Sequence, residues 1–551
     1  VNETESFGSS ERSGSDASKP VSGTTGKEGS MPQIQHNGLH KGWAMALLAS
    51  VQFMLILDAS IVQVALPSIQ HHFHVGSVST LGWVVNGYLL TFGGLLLLGG
   101  RLADRLGRRN LFFAGTAMFG AFSLVAGLSP SFGVLIAARL LQGAGAALVA
   151  PAALSLVTVI FQEGQERNKA MGIWGAISGT GGAAGLIFGG VLTTGLGWEW
   201  VFFVNLPVVA AALLLTPRLL PEVSGEQTGG SFDVAGATSV VAGIGALIFG
   251  FVEAGNKGWG SAQADVSLAA GVVLSAAFIL IELRSRNPLI RFSLFRARTI
   301  SGGNLVALTF GMAAIAVWFY LALYLQDVDH YTALKAGVAS LPLNFALISM
   351  ATLSAKWISR FGPKPVLAAG LATFAGGMFW FHYITPYGSY VSGVLGPIIV
   401  MGLGMGLAFV GVTVAATTGV DPEDAGLASG LYNTTLQVGE AVGLAILTTI
   451  STSATAHDLV RHASARAALT HGFREALLAG AGLAAAAGLL ALFVLSDGAN
   501  RAFVKMAHES GANELALAAD ALAEIEGIGA IAGAEAEHEV EAALEDATQR
   551  V

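Results

Sequence analysis

Residues 99–109 read Gly-Gly-Arg-Leu-Ala-Asp-Arg-Leu-Gly-Arg-Arg. They lie between two stretches, Leu89–Leu98 and Leu111–Leu128, that carry no charge at all. A basic loop pinned between two such stretches marks a chain that crosses a membrane more than once. Short loops rich in Lys and Arg stay in the cytoplasm, so this loop also orients its neighbours. An average soluble domain is about 25% charged; this chain is 12% charged and 53% hydrophobic. Apolar runs near the length that spans a hydrocarbon core, about 20 residues, recur along it, which argues against a large soluble core. Gly makes up 72 of the 551 residues, and small residues let helices approach closely in lipid. Cys is absent, which excludes a disulfide framework and thiolate metal sites.

Fourteen apolar segments fall between residues 43 and 496, which predicts an all-α polytopic membrane protein with 14 transmembrane helices. An even count puts both termini on one side. If that side is the cytoplasm, the inner loops carry fifteen Lys and Arg residues and the outer loops five, a clear positive-inside bias. Three of those five, Arg461, Arg466 and Arg474, fall in or at the end of one longer outer loop, 451–474. Residues 1–40 are rich in Ser, Gly, Thr and charge and read as a disordered cytoplasmic tail. They lack the apolar stretch of a secretory signal. Residues 497–551 are acidic and rich in Ala and Glu, and read as a helical cytoplasmic tail.

The loop Ala355–Lys364 is a worn copy of Gly100–Arg109: Arg360 matches Arg105, Gly362 matches Gly107, and Lys364 matches Arg109. Each loop follows the second helix of a half if the helices near 234–254 and 265–283 are an insertion. The predicted organisation is therefore a six-helix bundle over 41–217, a linker with two inserted transmembrane helices over 218–299, and a second six-helix bundle over 300–496. Two related bundles packed about a central site are a transporter design.

The motifs resemble those of one family. The Gly100–Arg109 loop resembles the signature loop of the major facilitator superfamily. Leu57-Asp58-Ala59-Ser60-Ile61-Val62-Gln63-Val64-Ala65-Leu66-Pro67 resembles the first-helix motif of its fourteen-helix drug:proton antiporter branch. Arg139-Leu140-Leu141-Gln142-Gly143-Ala144-Gly145 resembles the fourth-helix motif of proton-coupled members, and Trp198–Pro207 is also typical. The resemblance covers about 42–496. It implies a proton-coupled exporter of hydrophobic or amphipathic compounds such as drugs, antibiotics and dyes, working by alternating access. It further implies a monomer in a bacterial plasma membrane that is not an enzyme. Its partners would be the small substrate, protons and membrane lipids; it would bind no nucleic acid and need no cofactor beyond the proton gradient. There are two departures. Gly185-Leu186-Ile187-Phe188-Gly189-Gly190 lacks the proline of the fifth-helix antiporter motif, which leans toward lipid or lysolipid export. Gln63 stands where the family often has Asn. A third reading, a receptor or scaffold acting through 497–551, belongs to another class.

Ionisable groups inside a membrane are costly and so are functional candidates. Asp58 falls mid-span in the first helix, Arg139 within the fourth, and Glu440 mid-span in the thirteenth. With the resemblance, Asp58 would carry the proton and Arg139 would bias its titration; a fixed structural ion pair is the alternative. Asn433, Gln437 and Glu440 are spaced to share one helix face, which predicts a polar stripe for substrate, or else a neutral Glu bonded between helices. Trp83, Tyr88, Trp174, Trp318 and Met405 are candidates for an apolar pocket, since flexible Met and flat rings tolerate varied ligands. Gly100, Asp104, Arg105, Gly107, Arg108 and Arg109, with Gly185, Gly189 and Gly190, are candidates for conformational gating. His71, His72 and His74 have no Cys or close carboxylate to complete a site, so no metal is expected. The Gly clusters are not phosphate loops, because no Lys-Ser/Thr follows.

Overall fold

The computed structural model describes residues 38–161, 165–222, 233–285, 288–290, 292–417 and 425–495. The predicted tails lie outside these residues, apart from residues 38–40, which begin the first helix. Fourteen long helices follow in order: α1 Gly38–Phe73, α2 Trp83–Leu106, α3 Arg108–Gly127, α4 Phe132–Ile160, α5 Gln165–Gly195, α6 Asn205–Leu219 and α7 Val234–Lys257. The second half holds α8 Ala262–Arg284, α9 Arg298–Leu323, α10 Leu341–Phe361, α11 Pro363–Phe381, α12 Gly396–Thr417, α13 Ala425–Val460 and α14 Ala465–Val494. Twelve spans among the described residues are long and apolar enough to cross a membrane. The Gly-rich α5 and α11 are the two outside that set.

One expectation needs correction. The stretch 451–474 was expected to be a long outer loop, yet α13 runs on to Val460 and α14 starts at Ala465. Apolarity measures where a helix meets lipid, whereas backbone hydrogen bonding continues past that edge, so polar helix ends look like loops in sequence.

The loop copies share a backbone geometry as well as a sequence pattern. Gly107 sits at φ +90° between α2 and α3, and Gly362 at φ +84° between α10 and α11. A side chain is strained at such φ values, so Gly lets two spans join through a single residue.

α1 packs on α5 and α6, and α4 on α2 and α3, forming the first bundle. In the second, α9 packs on α13 and α14, and α12 on α10 and α11. Glycine sets several approaches. A side chain at Gly439 would strike the Leu308 carbonyl, and one at Gly443 would strike the Met312 backbone. Four residues apart on α13, these two lay it directly on α9, the small-residue packing that suits lipid. Gly443→Val is therefore expected to destabilise the protein by about 1–3 kcal/mol, read as a lower melting temperature in detergent. An unchanged melting temperature would contradict this packing.

α7 and α8 pack on each other, and α7 also meets α2 and α13. α8 instead exposes Val266, Val272, Val273 and Leu283, an apolar face suited to lipid. The α2–α13 seam is closed along its length. Gly430 admits Leu97 and Gly93 admits Gln437, while the Ser79 hydroxyl donates to the Thr448 carbonyl (3.1 Å) and lies 2.6 Å from Thr452 Oγ1. α7 laces across both helices. Asn256 bonds Ser77 (2.7 Å) and Thr80 (3.0 Å) at the entry to α2, and Thr449 of α13 donates to the Phe251 carbonyl (2.6 Å). On the other side of the molecule, α5 meets the short helix Ala333–Ala339 through Gly190 and Gly337. There Leu334 N–H donates to Thr194 Oγ1 at 3.1 Å. Gln326 Nε2 adds a bond to the Val64 carbonyl at 3.0 Å. These α5 and Gln326 contacts lie at the end of the bundles away from the Gly99–Arg109 loop.

Candidate functional site

Asp58 on α1 and Arg139 on α4 meet inside the first bundle, with Asp58 Oδ2 2.7 Å from an Arg139 terminal nitrogen. Both are essentially inaccessible, at 0% and 1% exposure. Two charges removed from water cost several kcal/mol each unless every lone pair and proton finds a partner. Here they do. Gln142 and Asn205 donate their side-chain amides to Asp58 Oδ1 at 2.9 and 2.8 Å. Arg139 Nε donates to the Val84 carbonyl at 3.0 Å, and its terminal nitrogen also donates to Gln142 Oε1 at 2.7 Å. Ser123 accepts from Asn205 at 3.0 Å and donates to the Phe202 carbonyl at 2.8 Å. The Tyr88 ring lies 4.5 Å from the guanidinium carbon, in cation–π range. The network draws on α1, α2, α3, α4 and α6, so the bundle closes around it.

Between the bundles lies a cavity of about 330 Å³. Ser60 and Gln63 of α1, Tyr88 of α2 and Arg139 of α4 line it from the first bundle. Trp318 of α9, Asn344 of α10, Phe409 of α12 and Glu440 of α13 line it from the second. Ile56, Leu89, Leu186, Ile315 and Leu347 supply apolar wall. Arg139 therefore belongs both to the ion pair and to the cavity.

The candidate substrate residues divide. Tyr88, Trp318 and Glu440 are in the cavity wall, whereas Trp83, Trp174, Met405, Asn433 and Gln437 are not. Met405 is fully buried in the helix core. Gln437 presses on Gly93 of α2, and the exposed Asn433 side chain donates to the Ser429 carbonyl of its own helix at 3.0 Å. The expected single stripe thus splits, because α13 serves the α2 seam and the cavity at once. Gly185 and Gly189 admit α1, and Gly190 admits Leu334. In the basic loop, Asp104 pairs with Arg108 at 3.6 Å and Arg109 with Glu222 at 2.5 Å. Arg101 donates to the Pro288 carbonyl beyond α8, and Gly100 lies near Pro151 of α4. Gln142, Asn205 and Ser123 were missed in sequence. Gln142 and Asn205 stood inside quoted motifs, but an uncharged polar residue in a span gives no signal of its own.

The Major Facilitator Superfamily model matches residues 48–444. The cephamycin export protein CmcT of Amycolatopsis lactamdurans is 40% identical over 415 residues, covering 75% of this chain and 85% of its own. The puromycin resistance protein of Streptomyces alboniger is 37% identical over 462 residues, covering 83% and 91%. Among solved structures, a bacterial homologue of the human lysosomal transporter Spinster superposes with a TM-score of 0.62 at 16% identity, over 85% of this chain and 99% of that one. At that identity the likeness speaks for the fold. With the family match across most of the membrane region, the chain belongs to the major facilitator superfamily, and it is a multi-pass membrane transporter, not an enzyme.

Proposed function

We propose that this protein exports hydrophobic and amphipathic small molecules from a bacterial cell in exchange for protons. The observation that carries this reading is Arg139, which forms one wall of the inter-bundle cavity while holding the buried Asp58 carboxylate. Relatives that export cephamycin or confer puromycin resistance support the cargo class. In this reading an ionised Asp58 neutralises Arg139. Protonation breaks that pair and changes the charge presented to the cavity, so cargo and proton occupancy are linked. The domain division is two six-helix bundles over 41–217 and 300–496 with 218–299 between them. Both termini lie in the cytoplasm, as the loop charge bias favours, and a monomer is the working unit.

Purified protein in vesicles, given an inward pH gradient and a panel of amphipathic compounds, tests the reading. Uptake that follows the gradient and collapses with a protonophore is expected. Uptake indifferent to the gradient would remove the proton from the mechanism.

The basic loop is assigned a gating role. The Asp104–Arg108 pair is exposed and long, so it contributes under about 1 kcal/mol to stability. Asp104→Ala is expected to leave melting temperature and substrate affinity nearly unchanged while lowering turnover several-fold. A fall in affinity at constant maximal rate would contradict gating.

A further inference from the structure

The cavity wall is uneven in charge. Arg139 is charge-paired: Asp58 balances it, Val84, Asp58 and Gln142 take its Nε and one terminal nitrogen, and Tyr88 covers its face. Glu440 is not. No hydrogen bond or ion pair reaches its carboxylate among the described residues. Gln63 is 5% exposed, and its side-chain oxygen has no partner. The wall therefore offers one carboxyl group without a protein partner and one orphaned buried acceptor, on opposite bundles and in the same cavity. An acceptor left unmet in a buried site is unfavourable, so the ligand that completes this wall brings a positive charge and an N–H donor.

We propose that Glu440 and Gln63 form a two-point acceptor for a protonated amine, which makes amphipathic primary and secondary ammonium compounds the preferred cargo. The proposal rests on the export reading above and names its substrate class. An ammonium beside Glu440 holds the carboxylate in its charged form, and its N–H reaches the Gln63 oxygen. Trp318 and Phe409 supply ring faces for the cation; the Tyr88 face is already taken by Arg139. Ile56, Leu89 and Leu347 take the hydrocarbon body. A quaternary ammonium satisfies Glu440 but leaves Gln63 unmet, and an anion finds no positive partner in either group.

Three dansyl probes separate these contributions: dansylcadaverine, its N-trimethyl quaternary derivative, and its neutral N-acetyl derivative. Equilibrium binding to the purified full chain in detergent is read by dansyl fluorescence at pH 7. In the wild type the expected order is primary ammonium, then quaternary, then neutral. Glu440→Gln should weaken both cations by about 10-fold or more, the scale of a charge-assisted contact, and leave the neutral probe within about twofold. Glu440→Asp should keep most of the cation preference. Gln63→Leu should weaken the primary ammonium alone. Neutral-probe binding reports that each variant is folded, and a variant that loses it is replaced by the milder Glu440→Asp or Gln63→Asn. Equal losses for all three probes in Glu440→Gln, or equal losses for both cations in Gln63→Leu, overturn the two-point acceptor. Gradient-driven uptake of the same probes by the wild type is scored separately. Uptake without charge discrimination overturns the acceptor and leaves export standing; discrimination in binding with no uptake overturns export.

Discussion

Asp58→Asn is expected to abolish pH-gradient-driven transport in vesicles while the protein still folds and still binds substrate. The substitution keeps the shape of the side chain but removes its titratable proton. Its amide oxygen can accept from Arg139 or from the pair Gln142 and Asn205, but not from both sides as the carboxylate does. The Arg139 guanidinium also loses its counter-charge, and breaking a buried pair from one side costs about 3–5 kcal/mol, so a lower melting temperature is expected beside the complete loss of coupling. Near wild-type gradient-driven uptake in this variant would refute Asp58 as the proton carrier.

Arg139→Ala should fail differently. Removing the cation leaves Asp58 buried among amide donors with no counter-charge, and breaking a buried pair from one side costs about 3–5 kcal/mol. Melting temperature and transport should both fall sharply. Arg139→Lys keeps the charge but loses the planar fork that reaches Val84, Asp58 and Gln142 together, so recovery should be partial. The double variant Asp58→Asn/Arg139→Ala carries no orphaned charge. It should regain most of the melting temperature and none of the coupling. If the double variant were no more stable than Arg139→Ala, the orphaned-carboxylate account would be wrong.

Charge in an apolar segment is a strong signal because water is the only cheap partner for it, and Asp58, Arg139 and Glu440 stood out for that reason. The partners that make the Asp58 site workable did not stand out. Gln142 and Asn205 are neutral, and an amide in a span is as often a packing contact as a ligand. Helical spacing fixed which residues share a face of α13, but not what the face meets. Gln437 meets α2 and Glu440 meets the cavity because the seam and the cavity divide that face between them. Residue type was an equally weak guide for Met405, whose place is set by which helices close around it. Gln63 drew notice only as a departure from a family pattern; its orphaned oxygen is a fact of packing that no sequence window contains.

The helical spans were readable because each must satisfy its own backbone in lipid, although twelve of the described spans, not fourteen, are long and apolar enough to cross a membrane. Their ends were not, since a helix can outrun its apolar stretch, as α13 does.

Helix α7 turns the α2–α13 seam into the spine of a book. The two covers touch there along their length, and a third helix is stitched across both at Ser77, Thr80 and Thr449. The fore-edge is fastened differently, where α5 meets Ala333–Ala339 through two glycines, Leu334 bonds Thr194 and Gln326 bonds Val64. Any motion that parts the bundles on that flank must break the Leu334–Thr194 and Gln326–Val64 bonds, whereas parting them at the seam must also undo the α7 stitch.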